Sequence, residues 1–278
     1  MHDRSPASRL FDSHVHLDDP DRVPADIAPL LAAAATVGWG GALIAGYGPE
    51  RFERARALCA ARADLAWSAG LHPWWLAQND AIGREAGWLQ LVACLRAGDG
   101  PVAIGEIGVD RSRKSQMSAT GQLDWFRRGL ELAAAHRLPV VLHIVGWHGL
   151  ALEAIERVGV PAGGVVHRYS GPAELVSRYE QMGLALSFGP DLFVRDQPKA
   201  IAAIVQVAAD RLLVETDWPD GRLTYAEAVS AMARLVKRMA AWRGEDPLAL
   251  AERLMHNARS LFGRSDPARL RGPAGPSA

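Results

Sequence analysis

The chain has only two cysteines in 278 residues, Cys59 and Cys94. Two are too few for a disulfide framework or a zinc ribbon, and both fall in helix-like stretches that call for a small apolar side chain. An excess of charge is also missing: 31 Lys and Arg face 31 Asp and Glu. That balance excludes a global electrostatic footprint for nucleic acid or an anionic membrane, so any phosphate recognition must come from a local cluster. No apolar stretch precedes Asp12, which reads against a secretory leader and for a cytoplasmic protein. Long hydrophobic runs are scarce. Ile27 to Pro49 carries no charge and is long enough to cross a bilayer. However, Pro29 and Gly38-Trp39-Gly40-Gly41 break it into an Ala-rich helix ending near Val37 and a short buried strand at Ala42–Ala45. No membrane association is expected.

What is present is ordinary globular material, 49% hydrophobic and 22% charged, which excludes a disordered or collagen-like chain. Short runs of Val, Ile, Leu and Ala alternate with longer amphipathic stretches. Eight strands are expected, near Arg9–Val15, Ala42–Ala45, Ala66–Leu71, Val102–Glu106, Val140–His143, Gly164–His167, Leu184–Ser187 and Leu212–Glu215. Helices are expected between them, over Glu50–Arg62, Ala81–Ala97, Gln122–His136, Gly149–Val158, Ala173–Gln181, Lys199–Val207 and Tyr225–Trp242. Strand then helix, repeated eight times, predicts an α/β fold of the TIM (β/α)8 barrel type. The length falls between one domain and two, but no linker or shift of composition divides it. One domain is therefore expected over 8–263, with the Gly- and Pro-rich stretch 264–278 as a disordered tail.

A barrel gathers its chemistry at the C-terminal ends of its strands. His14, His16, His72, Glu106, His143, His167 and Asp217 all lie at such positions, on six of the strands. His14 and His16 are two apart, and alternation along a strand points such a pair to one face; Asp12 shares that parity. Imidazole and carboxylate ligands without thiolate suit Zn, Mn or a similar divalent ion. Glu106, with two oxygens, is able to bridge two ions.

The ordered series Phe11-Asp12-Ser13-His14-Val15-His16-Leu17, Gly70-Leu71-His72-Pro73, Ala103-Ile104-Gly105-Glu106-Ile107-Gly108-Val109-Asp110, Leu138-Pro139-Val140-Val141-Leu142-His143, Val165-Val166-His167-Arg168-Tyr169-Ser170-Gly171 and Leu213-Val214-Glu215-Thr216-Asp217 resembles the motifs of the TatD family. The ending Asn257-Ala258-Arg259-Ser260-Leu261-Phe262-Gly263 is similar to that family's C-terminal helix. The resemblance implies a metal-dependent deoxyribonuclease on a TIM barrel, of the amidohydrolase-like kind. Two divalent ions (Zn, Mn or Mg) are implied, one held by His14, His16 and Asp217, the other by His143 and His167, with Glu106 between them. Asp217 and Glu106 become the catalytic carboxylates, Asp217 as proton acceptor.

Departures from the family fall on the loops facing substrate. Arg111-Ser112-Arg113-Lys114 replaces an aromatic pair, Ile144-Val145-Gly146-Trp147 follows His143, and Trp218-Pro219-Asp220 follows Asp217. Arg111, Arg113 and Arg168 are candidate phosphate contacts, and His72, Trp147 and Trp218 candidate substrate contacts. Trp74, Trp75, Trp147 and Trp218 follow strand ends, where they either stack on bases or pack loops over the barrel. Asp12 either orients a ligand imidazole or bonds backbone, Asp110 is read likewise, and His148 is a candidate rim residue. DNA, single-stranded or taken from an end, is the expected partner. A hydrolase of a small amide, ester or phosphate and a non-catalytic binding barrel are the competing functions.

Overall fold

A computed structural model describes residues 9–96, 100–192, 198–219 and 222–263; the expected tail over 264–278 lies outside the described residues. Strands β1 (Leu10–Val15), β2 (Trp39–Ile44), β3 (Leu65–Ala69), β4 (Ala103–Asp110), β5 (Val140–Val145), β6 (Gly164–Val166), β7 (Leu184–Phe188) and β8 (Leu212–Val214) pair in parallel in chain order. The ring closes from β8 to β1: Asp217 N–H donates to the His14 carbonyl at 2.9 Å, and His16 N–H to the Trp218 carbonyl at 2.8 Å. This is the expected (β/α)8 barrel. All eight strands are almost wholly buried, as strands covered on both faces must be.

The covering helices are α1 (Ala28–Ala35), α2 (Pro49–Ala60), α3 (Pro73–Gln78), α4 (Ala81–Cys94), α5 (Ala119–His136), α6 (His148–Val158), α7 (Val176–Gln181), α8 (Pro198–Gln206), α9 (Tyr225–Arg243) and α10 (Pro247–Phe262). Polar caps start several of them: Asp80, Ser118 and Asp246 each accept a backbone N–H of the first turn, and Thr224 with Glu227 forms a capping box. The six-residue α3 has no counterpart in the expected elements, because it is shorter than two helical turns and shows no period. Cys59, in α2, is buried in the core as expected, and Cys94 is partly buried in α4.

Inside the barrel one side chain from every strand meets in a single layer: Phe11, Leu43, Ala66, Ala103, Val141, Val165, Ala185 and Leu213. Ala258 and Phe262 of α10 plug it from below. Burial of Phe262, only 1% exposed, is worth roughly 2–3 kcal/mol. The far end of the barrel is thereby left for polar side chains. A register irregularity between Asp12 and Val15 adjusts β1: Phe11 and Ser13 face the interior, and His14 and His16 follow them at the mouth. Strict alternation, the basis for giving Asp12 the parity of these histidines, fails there. Asp12 instead faces outward to Tyr225 of α9. Gly108 (φ 155°) lies on β4 where a Cβ would run into the His143 carbonyl, so glycine is what lets β4 and β5 close together beside the site.

Candidate metal centre

Glu106, from β4, is 1% exposed and divides its two carboxylate oxygens between two sets of histidines. Oε1 lies 3.3 Å from His14 Nε2 and 3.5 Å from His16 Nε2. Oε2 lies 3.0 Å from His167 Nε2, 3.5 Å from His143 Nδ1 and 3.6 Å from His72 Nε2. Asp217 completes the first set, its Oδ1 3.7 Å from His14 Nε2 and 3.6 Å from His16 Nε2. The six residues expected to bind metal therefore come together at the barrel mouth. His14 stacks on His167 with ring centres 3.9 Å apart.

The outward-facing nitrogens fix which atoms face the centre. His16 Nδ1 lies 3.2 Å from the Ala45 carbonyl, His143 Nε2 3.1 Å from Asp110 Oδ2, and His167 Nδ1 3.3 Å from Glu215 Oε1. Carbonyl and carboxylate only accept, so each of these nitrogens donates, leaving the other with a lone pair toward the centre. His143 Nδ1 and His167 Nε2, thus turned inward, are only 3.1 Å apart. Two lone pairs at that distance need a cation or proton beside them, and His72 Nε2, 3.2 Å from His143 Nδ1, is one donor within reach. His14 Nδ1 and Nε2 and Glu106 Oε1 are buried without a hydrogen-bond partner, an expensive arrangement unless something binds them. The donor set fits divalent ions.

His72 differs. Its Nδ1 accepts the Trp74 backbone N–H at 3.0 Å, so in the neutral ring Nε2 carries the proton and points at the centre as a donor. His72 lies within ligand distance of Glu106 and His143, but this tautomer suits it to an anionic oxygen better than to a metal.

The electrostatics keep the carboxylates ready. Burial pushes the Glu106 carboxyl up, but His14, His72 and His167 outweigh it and hold it well below the usual range. Asp217 is treated the same way by His16, His14 and His167 and is likewise held low. Burial, only partly offset by hydrogen bonds from Thr216 and His14, raises Asp12 to about 7. Among the described residues Asp12 bonds no imidazole: it accepts Thr216 N–H at 2.8 Å and Thr216 Oγ1–H at 2.6 Å. It thus ties β1 to the turn that carries Asp217. Asp217 (φ 53°) and Arg168 (φ 45°) both adopt the left-handed conformation, a backbone strain typical of functional positions. Arg168 NH1 donates to Asp217 Oδ2 at 2.8 Å and its Nε to Asp191 Oδ2 at 3.3 Å.

Above the centre opens a cavity of about 730 Å³, lined among others by Arg22, Arg51, Arg113, Arg168, His72 and Trp74. Of the expected substrate contacts, His72, Arg113 and Arg168 line it. Trp147, Trp218 and Arg111 do not line it. Trp218 is 6% exposed, packs on Tyr225 and donates its indole N–H to the Leu223 carbonyl. Trp147 packs against the helical core at the start of α6, and the Arg111 side chain lies over Gly146. His148 is also turned inward, its Nδ1 2.8 Å from the Tyr179 hydroxyl. Glu215, 0% exposed behind His167, was not singled out from sequence; its place in the run that ends at Asp217 was the available signal.

Residues 11–263 match the family model described as TatD related DNase. The chain is 33% identical over 258 residues to the 3'-5' ssDNA/RNA exonuclease TatD of a Rahnella species, covering 86% of this chain and 93% of that protein. It is 30% identical over 260 residues to YjjV of Escherichia coli, named an uncharacterized metal-dependent hydrolase, with 91% and 98% covered. The crystal structure of that TatD homologue superposes with a TM-score of 0.81 at 28% identity, over 92% of this chain and 98% of the other. A TatD family hydrolase of Entamoeba histolytica, 18% identical, shares the fold at a TM-score of 0.78 over 92% and 99%.

Proposed function

The chain belongs to the TatD-related DNase family and is a metal-dependent hydrolase of ester bonds; we propose that its substrate is single-stranded DNA taken from an end, in the cytoplasm, with two divalent ions (Zn, Mn or Mg) at the barrel mouth. The observation that carries this reading is the division of Glu106 between His14 and His16 on one oxygen and His143 and His167 on the other. In this reading His14, His16 and Asp217 hold one ion, His143 and His167 the other, and Glu106 both. The ions, when bound, supply a water activated near neutral pH and neutralise charge on the phosphoryl oxygens.

The remaining work belongs to the chain. Asp217, ionised and one-fifth exposed to the cavity, accepts the proton that attack on phosphorus releases. His72 donates Nε2–H to an anionic oxygen of the substrate. Arg113 and Arg168 supply the local positive charge that a chain of zero net charge otherwise lacks. A cavity of about 730 Å³ is the size of a small-ligand pocket, which favours a frayed end over a duplex groove. Among the described residues no helix is long and apolar enough to cross a membrane. The barrel unit proposed to carry the activity spans 8–263.

A labelled single-stranded oligonucleotide incubated with the protein and Mn or Mg releases mononucleotides, and a chelator stops the release. Intact oligonucleotide across Zn, Mn and Mg, with hydrolysis of a small ester or amide instead, would overturn the proposed substrate.

A further inference from the structure

Four tryptophans follow strand ends, and the structure separates them. Trp75 is 9% exposed and hydrogen-bonds Glu50, while Trp147 and Trp218 pack against helices. Trp74 lines the cavity and remains 37% exposed. Its ring is nevertheless fixed, because the indole N–H donates to Asp110 Oδ2 at 2.6 Å and the backbone N–H to His72. A rigid, partly open aromatic ring inside a polar cavity is organised to receive something flat. The Arg113 guanidinium lies over the Trp74 ring, 4.1 Å from its centre, covering part of it with a planar cation and leaving the rest of the ring to the cavity.

The same pairing occurs a second time on the same wall. Arg51 lies 4.5 Å over the Tyr47 ring, and the Tyr47 hydroxyl donates to Gln78 Oε1 at 3.3 Å. Tyr47, Arg51 and Gln78 all line the cavity. Both aromatic rings rest on one imidazole: Tyr47 stacks on His72 at 5.1 Å, and Trp74 meets its edge at 5.6 Å. His72 in turn faces Glu106 Oε2 at 3.6 Å. Two units of aromatic ring plus guanidinium thus stand within one side chain of the reacting centre. Tyr47 is already taken up between the stacked His72 imidazole and Arg51, and Arg51 is paired with Asp19 Oδ2 at 3.2 Å; Trp74 with Arg113 is the unit that matches a flat base and an anionic phosphate.

We propose that Trp74 and Arg113 form a subsite for a nucleotide adjoining the scissile phosphate, the open part of the indole stacking on the base and the guanidinium taking the neighbouring phosphate. The inference rests on the nuclease reading and deepens it. Stacking uses the base face, which every base has, so the subsite tolerates sequence but requires the base to be unpaired.

The test compares two oligonucleotides of equal length, one with natural bases throughout and one with base-free tetrahydrofuran residues at the two terminal positions of each end. The wild-type protein shows a KM about 5- to 150-fold lower on the natural strand, the span that one stacked base gives. Trp74→Leu brings that ratio toward one, and Trp74→Phe, which keeps a ring, preserves it. Loss of the indole hydrogen bond to Asp110 alters both strands together and leaves the ratio unmoved, so the ratio isolates stacking. Equal KM values for wild type on the two strands, or an unchanged ratio in Trp74→Leu, would overturn the subsite alone. If wild type cleaves neither strand, the nuclease reading itself fails and the subsite with it.

Discussion

Asp110 Oδ2 stands 3.1 Å from His143 Nε2 and so turns His143 Nδ1 toward Glu106 and His167. The same carboxylate accepts the Trp74 indole at 2.6 Å and the Ser112 N–H at 2.7 Å. Its pKa is held low: burial raises it, but these hydrogen bonds, first that to His143, prevail. Asp110 thereby sets the tautomer of a residue proposed to bind metal.

Replacing that carboxylate by an amide should therefore weaken metal binding without unfolding the barrel. Asp110→Asn allows an N–H of the amide to meet His143 Nε2, favouring the tautomer with its proton on Nδ1. Divalent affinity or turnover should fall about 10- to 100-fold, the usual cost of losing such a partner. Metal titration of the purified variant checks this, and wild-type affinity would exclude the orienting role.

Arg168 acts on the other side of the centre. Its ion pairs with Asp217 and Asp191 are half exposed, so they add at most about 1 kcal/mol to stability. Their value is to hold Oδ2 of Asp217 so that Oδ1 faces His14 and His16. Arg168→Met should leave the melting temperature within a few degrees of wild type while lowering kcat on the order of 10-fold. An unchanged kcat would show that Asp217 needs no such restraint.

His148 makes a prediction about acid stability that is independent of the centre. Burial holds its imidazole down at about 4, against a reference of 6.5. The unfolded chain takes up a proton as pH falls from about 6.5 toward 4 that the folded chain refuses, so stability present above this window is lost through it. Near pH 4.5 the loss amounts to about 2–3 kcal/mol. Denaturant titrations of wild type and His148→Gln at pH 7 and pH 4.5 should show a smaller drop for the variant. Equal drops would mean that His148 titrates normally in the fold.

Most of the barrel was legible because its strands are short apolar runs set between longer amphipathic stretches, and even the three-residue β6 and β8 keep that pattern. The clustering of the His, Glu and Asp residues was legible because a barrel places strand ends together. What was hidden depends on packing across strands. Glu215 supports His167, 48 residues away, and no local spacing announces such a pair. Trp147 and Trp218 occupy rim positions in sequence, but only the packed helices decide whether an indole turns to the cavity or away from it. Asp12 was misplaced because one irregularity in β1 changes the face of the residues around it.

The shared carboxylate is the feature on which the whole centre depends. Metal content and oligonucleotide turnover, measured on the same samples of wild type and Glu106→Gln, test it most directly. The wild-type protein should carry two divalent ions per chain and cleave the strand, while Glu106→Gln keeps the wild-type circular dichroism but loses both metal and turnover. A Glu106→Gln protein with near-wild-type metal content and activity would contradict the bridging role.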